Sequence, residues 1–111
     1  MSRQSWVDLN LPIGLYRGEV NNGQPHGPGQ LIYPNSDIYL GLFKNGVPHG
    51  LGQLEYRNGE VYIGEFQDGR PHGYGKLVPK SEERSILPVL EGEFRNGKPS
   101  KEVREIYSER N

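Results

Sequence analysis

The sequence predicts an all-β protein, an elongated single-layer antiparallel meander of repeated β-hairpins. Three observations predict it. First, GQPHGPGQLIY at residues 23–33 recurs as GVPHGLGQLEY at 46–56 and GRPHGYGKLVP at 69–79, so one short unit is written three times. Second, hydrophobicity within each unit alternates with the period of a strand: Tyr39, Gly41 and Phe43 fall on one face, as do Gly52, Leu54 and Tyr56. Third, Asn22-Gly23, Asn45-Gly46, Asp68-Gly69 and Asn96-Gly97 separate the alternating runs, and these dipeptides reverse a chain cheaply because they accept positive φ.

Each element follows in order. Residues 1–15 form an N-terminal capping segment, in which Val7, Leu9 and Leu11 alternate as an added strand. Tyr16, Tyr39 and Tyr62 open units 16–38, 39–61 and 62–90 at a constant interval, each with two strands, and the third carries an insertion. Pro34-Asn35-Ser36-Asp37 and Arg57-Asn58-Gly59-Glu60 supply the turns between units. Residues 91–107 restart the pattern as a degenerate fourth unit, with Gly92 at the place of Gly64, Phe94 at that of Phe66 and Tyr107 at that of Tyr33 and Tyr56. Its segment 102–107 reads either as the closing strand, with Val103 and Tyr107 inward, or as a short helix pairing Val103 with Ile106 and Tyr107; the register of Tyr107 favours the strand. Residues 108–111 are a tail.

Composition agrees with one thin domain. Apolar residues make up 32% of the 111-residue chain, against roughly 45–50% in an average domain when Gly is counted with them. That is too few for a thick two-layer core. The regular spacing of 16 glycines among 7 tyrosines and 3 phenylalanines distinguishes the chain from a disordered one. The absence of cysteine excludes a disulfide framework, a thiolate metal site and a cysteine nucleophile, and it is compatible with a reducing compartment. With no signal-like N-terminus and no long apolar run, the chain is expected to be soluble, unexported and cytoplasmic.

The pattern Y-x-G-x-F-x-x-G-x-x-H-G-x-G, followed by a strand and a turn, resembles the MORN (membrane occupation and recognition nexus) repeat, closely over residues 16 to 97 and weakly over 98–107. The resemblance implies a twisted sheet of hairpins whose aromatic and leucine side chains line a shallow groove. It implies a binding or scaffolding role without catalysis, in cytoskeletal, ciliary or membrane-junction settings, with phospholipid binding discussed for some members. Two departures stand out. Ser100, Lys101 and Val103 replace His-Gly and the second glycine in the fourth unit, and Val20 replaces the usual aromatic in the first.

Reactive chemistry finds no support in the spacing. Strands lie about 4.7–4.9 Å apart, so His26, His49 and His72, two strands from one another, stand roughly 9–10 Å apart. A zinc ion needs its nitrogens at about 2.0–2.1 Å. Each histidine is instead expected to tie its own loop's backbone. GPGQLI is no phosphate cradle, because no helix follows to supply an N-terminus. Ser36 and Ser85 lack a nearby histidine, and Glu19, Glu65 and Glu93 occupy one outward position where solvated charge is ordinary. No catalytic residue, metal ligand or cofactor is expected.

The formal net charge of −1, with 13 basic and 14 acidic residues mixed through every unit, disfavours nucleic acid and gives anionic lipid little to attract. Lys76, Lys80 and Arg84, the nearest approach to a basic cluster, are diluted by Glu82 and Glu83. A protein partner in a larger assembly is the leading expectation, contacted through an extended peptide or a helix, and peripheral phospholipid binding is the alternative. Two surfaces compete for that partner. One is the inner aromatic stripe of Tyr16, Tyr33, Tyr39, Phe43, Tyr56, Tyr62, Phe66 and Phe94, which also has a core to build. The other is an outer patch of Leu40, Leu42 and Ile63, with Ile32 nearby, on a face that carries charge in units one and four. That patch is covered either by a partner or by residues 6–11 folding back over it.

Overall fold

The structure is a computed structural model and describes residues 6–108. The first five residues of the capping segment and residues 109–111 of the tail lie outside it. Ten strands form one antiparallel sheet measuring 51 × 31 × 25 Å. They are β1 (Val7–Leu11), β2 (Gly14–Asn21), β3 (Gln24–Ile32), β4 (Ile38–Lys44), β5 (Val47–Glu55), β6 (Val61–Gln67), β7 (Arg70–Val78), β8 (Val89–Arg95), β9 (Lys98–Pro99) and β10 (Arg104–Ile106). Order in space follows order in the chain from β1 to β8, and β9 and β10 both pair with β8. The inserted segment contributes one 3-10 turn, Ser81–Glu83, and no α-helix occurs among the described residues.

The turns are those the dipeptides require. Asn22, Asn45, Asp68 and Asn96 have φ between 51° and 53°, and each is followed by a glycine at positive φ, the geometry that matches the twist of the flanking strands. Between units, Ser36 N–H donates to Tyr33 O and Gly59 N–H to Tyr56 O, both at 2.9 Å. Each full hairpin also carries a register shift after its first glycine, at Gly18/Val20, Gly41/Phe43 and Gly64/Phe66. The bulge frees one residue per unit and sharpens the local twist.

A single layer still manages to close a core. Tyr16, Tyr39, Tyr62, Phe43, Phe66 and Phe94 are 0–3% exposed. Their rings form one edge-to-face ladder, Tyr16 to Phe43 to Tyr39 to Phe66 to Tyr62 to Phe94, with centroids 4.7–5.2 Å apart. The glycine pairs make this possible. Tyr39 lies over the cross-strand pair Gly41 and Gly52: a Cβ at Gly52 would collide with its ring, and one at Gly41 with the Gly52 backbone and the Tyr39 hydroxyl. Its hydroxyl donates to Leu42 O at 2.6 Å, and Tyr62 donates to Glu65 O at 3.0 Å. Each ring thus covers the bulge and satisfies its carbonyl.

The fourth unit shows that ring and glycine are one device. Leu90 stands at the place of Tyr62, and Val103 stands where the second glycine would be, against Gly92. A smaller side chain on one strand is matched by a larger one on its neighbour, and both pack against the aromatic core. The return strand here is broken into β9 and β10 by a turn at 100–103, where the His-Gly pair is missing.

Three expectations need correction. The added strand expected at Val7, Leu9 and Leu11 forms, and the alternative in which residues 6–11 fold over the outer face does not hold. Residues 7–11 extend the sheet edgewise, Val7 opposite Gly18 through Leu11 opposite Gly14, with Leu9 and Leu11 packed on the core beside Val20. The reason is that β2 offers an unpaired edge, and backbone pairing there satisfies a whole row of polar groups. The C-terminal segment is the closing strand and Val103 packs inward, but Tyr107 is 57% exposed rather than half-buried like Tyr33 and Tyr56. It lies beyond the end of β8, whose paired register stops at Val89 opposite Ile106. Third, His72 does not tie its own loop: its Nδ1 accepts the Asn96 N–H of the next hairpin turn at 3.2 Å.

Candidate protein-binding surfaces

The repeated Pro-His-Gly stretch works between units. Pro25 O accepts from Gly46 N–H, Pro48 O from Gly69 N–H and Pro71 O from Gly97 N–H, at 2.8–3.0 Å. Each unit therefore holds the turn of the next. No group of three or more His, Asp or Glu able to hold a metal occurs among the described residues.

On the inner face, the six ladder rings proposed as contact residues are sealed in the core. The hydroxyls of Tyr16, Tyr39 and Tyr62 face bulge carbonyls rather than solvent. What remains open is a rim of half-buried Tyr33 and Tyr56 at the turns between units. Burial, then the Asp37 carboxylate, pushes both phenols above their ordinary pKa. Asp37 Oδ1 also accepts the Arg57 N–H at 2.8 Å, tying one inter-unit turn to the next.

Burial also raises Tyr39 strongly and pushes Tyr62 up to about 12. A phenol whose folded pKa exceeds its unfolded value of 10.0 keeps its proton longer when folded. Its contribution to stability is complete below pH 10 and is lost as pH climbs through the folded pKa. Urea midpoints are therefore expected to fall between pH 10 and 12, with tyrosinate absorbance from these two rings appearing only as the chain unfolds. Full ionisation of all tyrosines near pH 10 with the fold intact would contradict their burial.

The outer face is open. Leu40, Leu42 and Ile63 are exposed, as is Ile32. Register puts Leu15, Ile32 and Ile38 in one row, while Leu40 and Ile63 share the next with Gln53 between them. At the β1–β3 end this face forms an open trough of about 450 Å³, floored by Leu15 and Ile32 and edged by the Arg17–Asp8 ion pair at 2.7 Å. Sequence reasoning missed Leu51, exposed at 64%, and Tyr74, at 55%. Period two counted from Gly52 and Gly75 would have found them, since both point away from the ring face.

Unit two departs from its neighbours in a specific way. In unit three the Glu65 carboxylate reaches across the bulge and accepts the Tyr74 N–H at 3.1 Å. The equivalent pair in unit two is Leu42 and Leu51, and a leucine offers no acceptor. Leu42 lies instead against Gly50, its Cδ1 at 3.5 Å from where a Cβ would stand. Where unit three has a bulge-capping carboxylate, unit two has exposed hydrocarbon.

The sequence model of the MORN repeat matches residues 16–38, 39–61, 62–78 and 91–100, more than half of the chain. No curated protein matches it. MORN repeats are generally protein- or membrane-binding modules without catalysis of their own. With glycine-seated tyrosines and turn-holding Pro-His-Gly loops in register with the first three of those segments, and a hairpin with both features replaced in register with the fourth, the chain belongs to the MORN repeat family.

Proposed function

We propose that this chain is a non-catalytic adaptor or structural subunit that holds an extended peptide or helix of a protein partner on the outer apolar face around Leu40, Leu42 and Leu51, with Ile63 at its border. The observation that supports this reading is the exchange at Leu42. A residue that forgoes the hydrogen bond made by its counterpart Glu65 in unit three, and exposes an apolar side chain in doing so, is better explained by a contact than by the fold. The near-neutral charge of the chain favours a protein over an anionic membrane as that contact. A cytoplasmic assembly, cytoskeletal or ciliary, is the setting proposed for it.

The test separates fold from contact. Leu42→Glu restores the carboxylate found at Glu65, so the isolated protein is expected to keep its melting temperature or gain from a net hydrogen bond of about 0.5–1.5 kcal/mol. Quantitative affinity capture from cells should then lose the partner with Leu42→Glu and retain it with Glu93→Gln, outside the patch. A lowered melting temperature, or unchanged capture, would overturn the proposal.

A further inference from the structure

Beyond that outer surface, we infer a second binding site on the inner face, a pocket that takes one lysine or arginine side chain of a protein partner. Its floor and walls are Leu77, Pro79, Leu87, Pro88 and Leu90, its polar edge is Glu60 and Glu105, and its volume is about 280 Å³. That is below the roughly 300–1,000 Å³ of ordinary small-molecule pockets and suits one long side chain.

The repeat serves as its own control: Leu77 keeps the place it has in every unit, while Pro79, Leu87, Pro88, Leu90 and Glu105 depart from the repeat. Pro79 occupies the place of the rim tyrosines Tyr33 and Tyr56, and so leaves a gap where a ring would stand. Glu105 occupies the inward place of Leu31, Leu54 and Leu77, opposite Leu90. A carboxylate thus stands where the other units have a leucine facing the core. Glu60 is the counterpart of Asp37, which ties the Arg57 N–H of the next turn. The insertion after Pro79 displaces that next turn, and among the described residues the Glu60 carboxylate is held only by the Asn58 side chain of its own turn, at 3.1 Å. The same insertion brings in Leu87 and Pro88. Departures at separate points of the chain converging on one cavity are what a site superimposed on a scaffold looks like.

Chemistry selects the occupant. An apolar floor with two carboxylates at its edge matches a side chain that is hydrocarbon along its stem and cationic at its tip. Among the described residues neither cation of the adjoining loop pairs with Glu60 or Glu105: Lys80 Nζ lies 3.9 Å from Glu83, and Arg84 Nε donates to Pro79 O at 3.2 Å. Glu105 Oε1 accepts the Tyr107 hydroxyl at 3.3 Å, and its second oxygen has no donor among the described residues.

The experiment uses the full chain labelled for amide NMR and three capped peptides: acetyl-Leu-Arg-Leu-amide, its Lys counterpart and its Gln counterpart. Saturable shifts at Leu77, Leu90 and Glu105 are expected with Arg and Lys, weakening with salt, and none with Gln. Each of Glu60→Gln and Glu105→Gln should weaken the Arg peptide about fivefold, as for a partly exposed ion pair. Glu105→Leu, which restores the leucine of the repeat, should abolish binding while the melting temperature holds or rises. Equal shifts with the Gln peptide, shifts confined to other residues, or no shift at millimolar peptide would each overturn the inference. Leu42→Glu should leave this binding intact, so failure here and failure at the outer face are read separately.

Discussion

Tyr39→Ala is expected to destabilise the protein by about 3–5 kcal/mol, the range for removing a buried aromatic. The ring is fully buried and makes edge-to-face contacts with Phe43 at 5.1 Å and Phe66 at 4.7 Å. It is the central link of the ladder. Domains of this size hold only about 5–15 kcal/mol in total, so the loss is a large share. Because each unit of a repeat array touches only its neighbours, a gap at the centre should uncouple the two halves. Urea denaturation would then show a lowered midpoint, a broadened transition, or both. Tyr39→Phe isolates the hydroxyl and should cost about 0.5–1.5 kcal/mol, the net worth of the bond to Leu42 O. A Tyr39→Ala change below about 1 kcal/mol would mean that the stripe is not the core.

Gly52→Ala is expected to cost about 1–3 kcal/mol or more, through overpacking rather than loss. An added methyl would stand 2.5 Å from Tyr39 Cε1 and Cζ, a ring held by its neighbours on both sides. The fourth unit predicts the remedy, since there Leu90 and Val103 replace the tyrosine and the glycine together. Tyr39→Leu and Gly52→Val should each destabilise, and the double variant should recover part of the combined loss. A coupling of at least about 0.5 kcal/mol in a double-mutant cycle is the expected reading. Strict additivity would show that ring and glycine do not share one volume.

Much of this was legible without coordinates, and the reasons are local. The constant interval of Tyr16, Tyr39 and Tyr62 sets the number of units, period two sets which residues share a face, and Asn-Gly or Asp-Gly at each hairpin sets where the chain reverses. These depend on a residue and its near neighbours, and the positive φ values at Asn22, Asn45, Asp68 and Asn96 fall where those dipeptides put them. The outer position of Leu40, Leu42 and Ile63 follows from the same alternation. Leu51 follows from the same alternation, since it precedes Gly52 and so points to the outer face.

What the sequence by itself determined was the order of hairpins, the family they belong to and the two faces of the sheet; what only the tertiary structure decided was which face is closed. Alternation gives Tyr39 a side but not an exposure, and its burial depends on Gly52, a strand away, and on the tilt that the bulge imposes. The partner of His72 is likewise in the following unit, and β1 chose the free edge of β2 over the outer face because an edge offers backbone hydrogen bonds and a face does not. The pocket at Glu60, Pro79 and Glu105 gathers residues far apart in the chain, each of which, read alone, is an ordinary irregularity of a repeat. Short-range rules write the strands, and cross-strand distance, which no single segment contains, decides what those strands enclose or leave open.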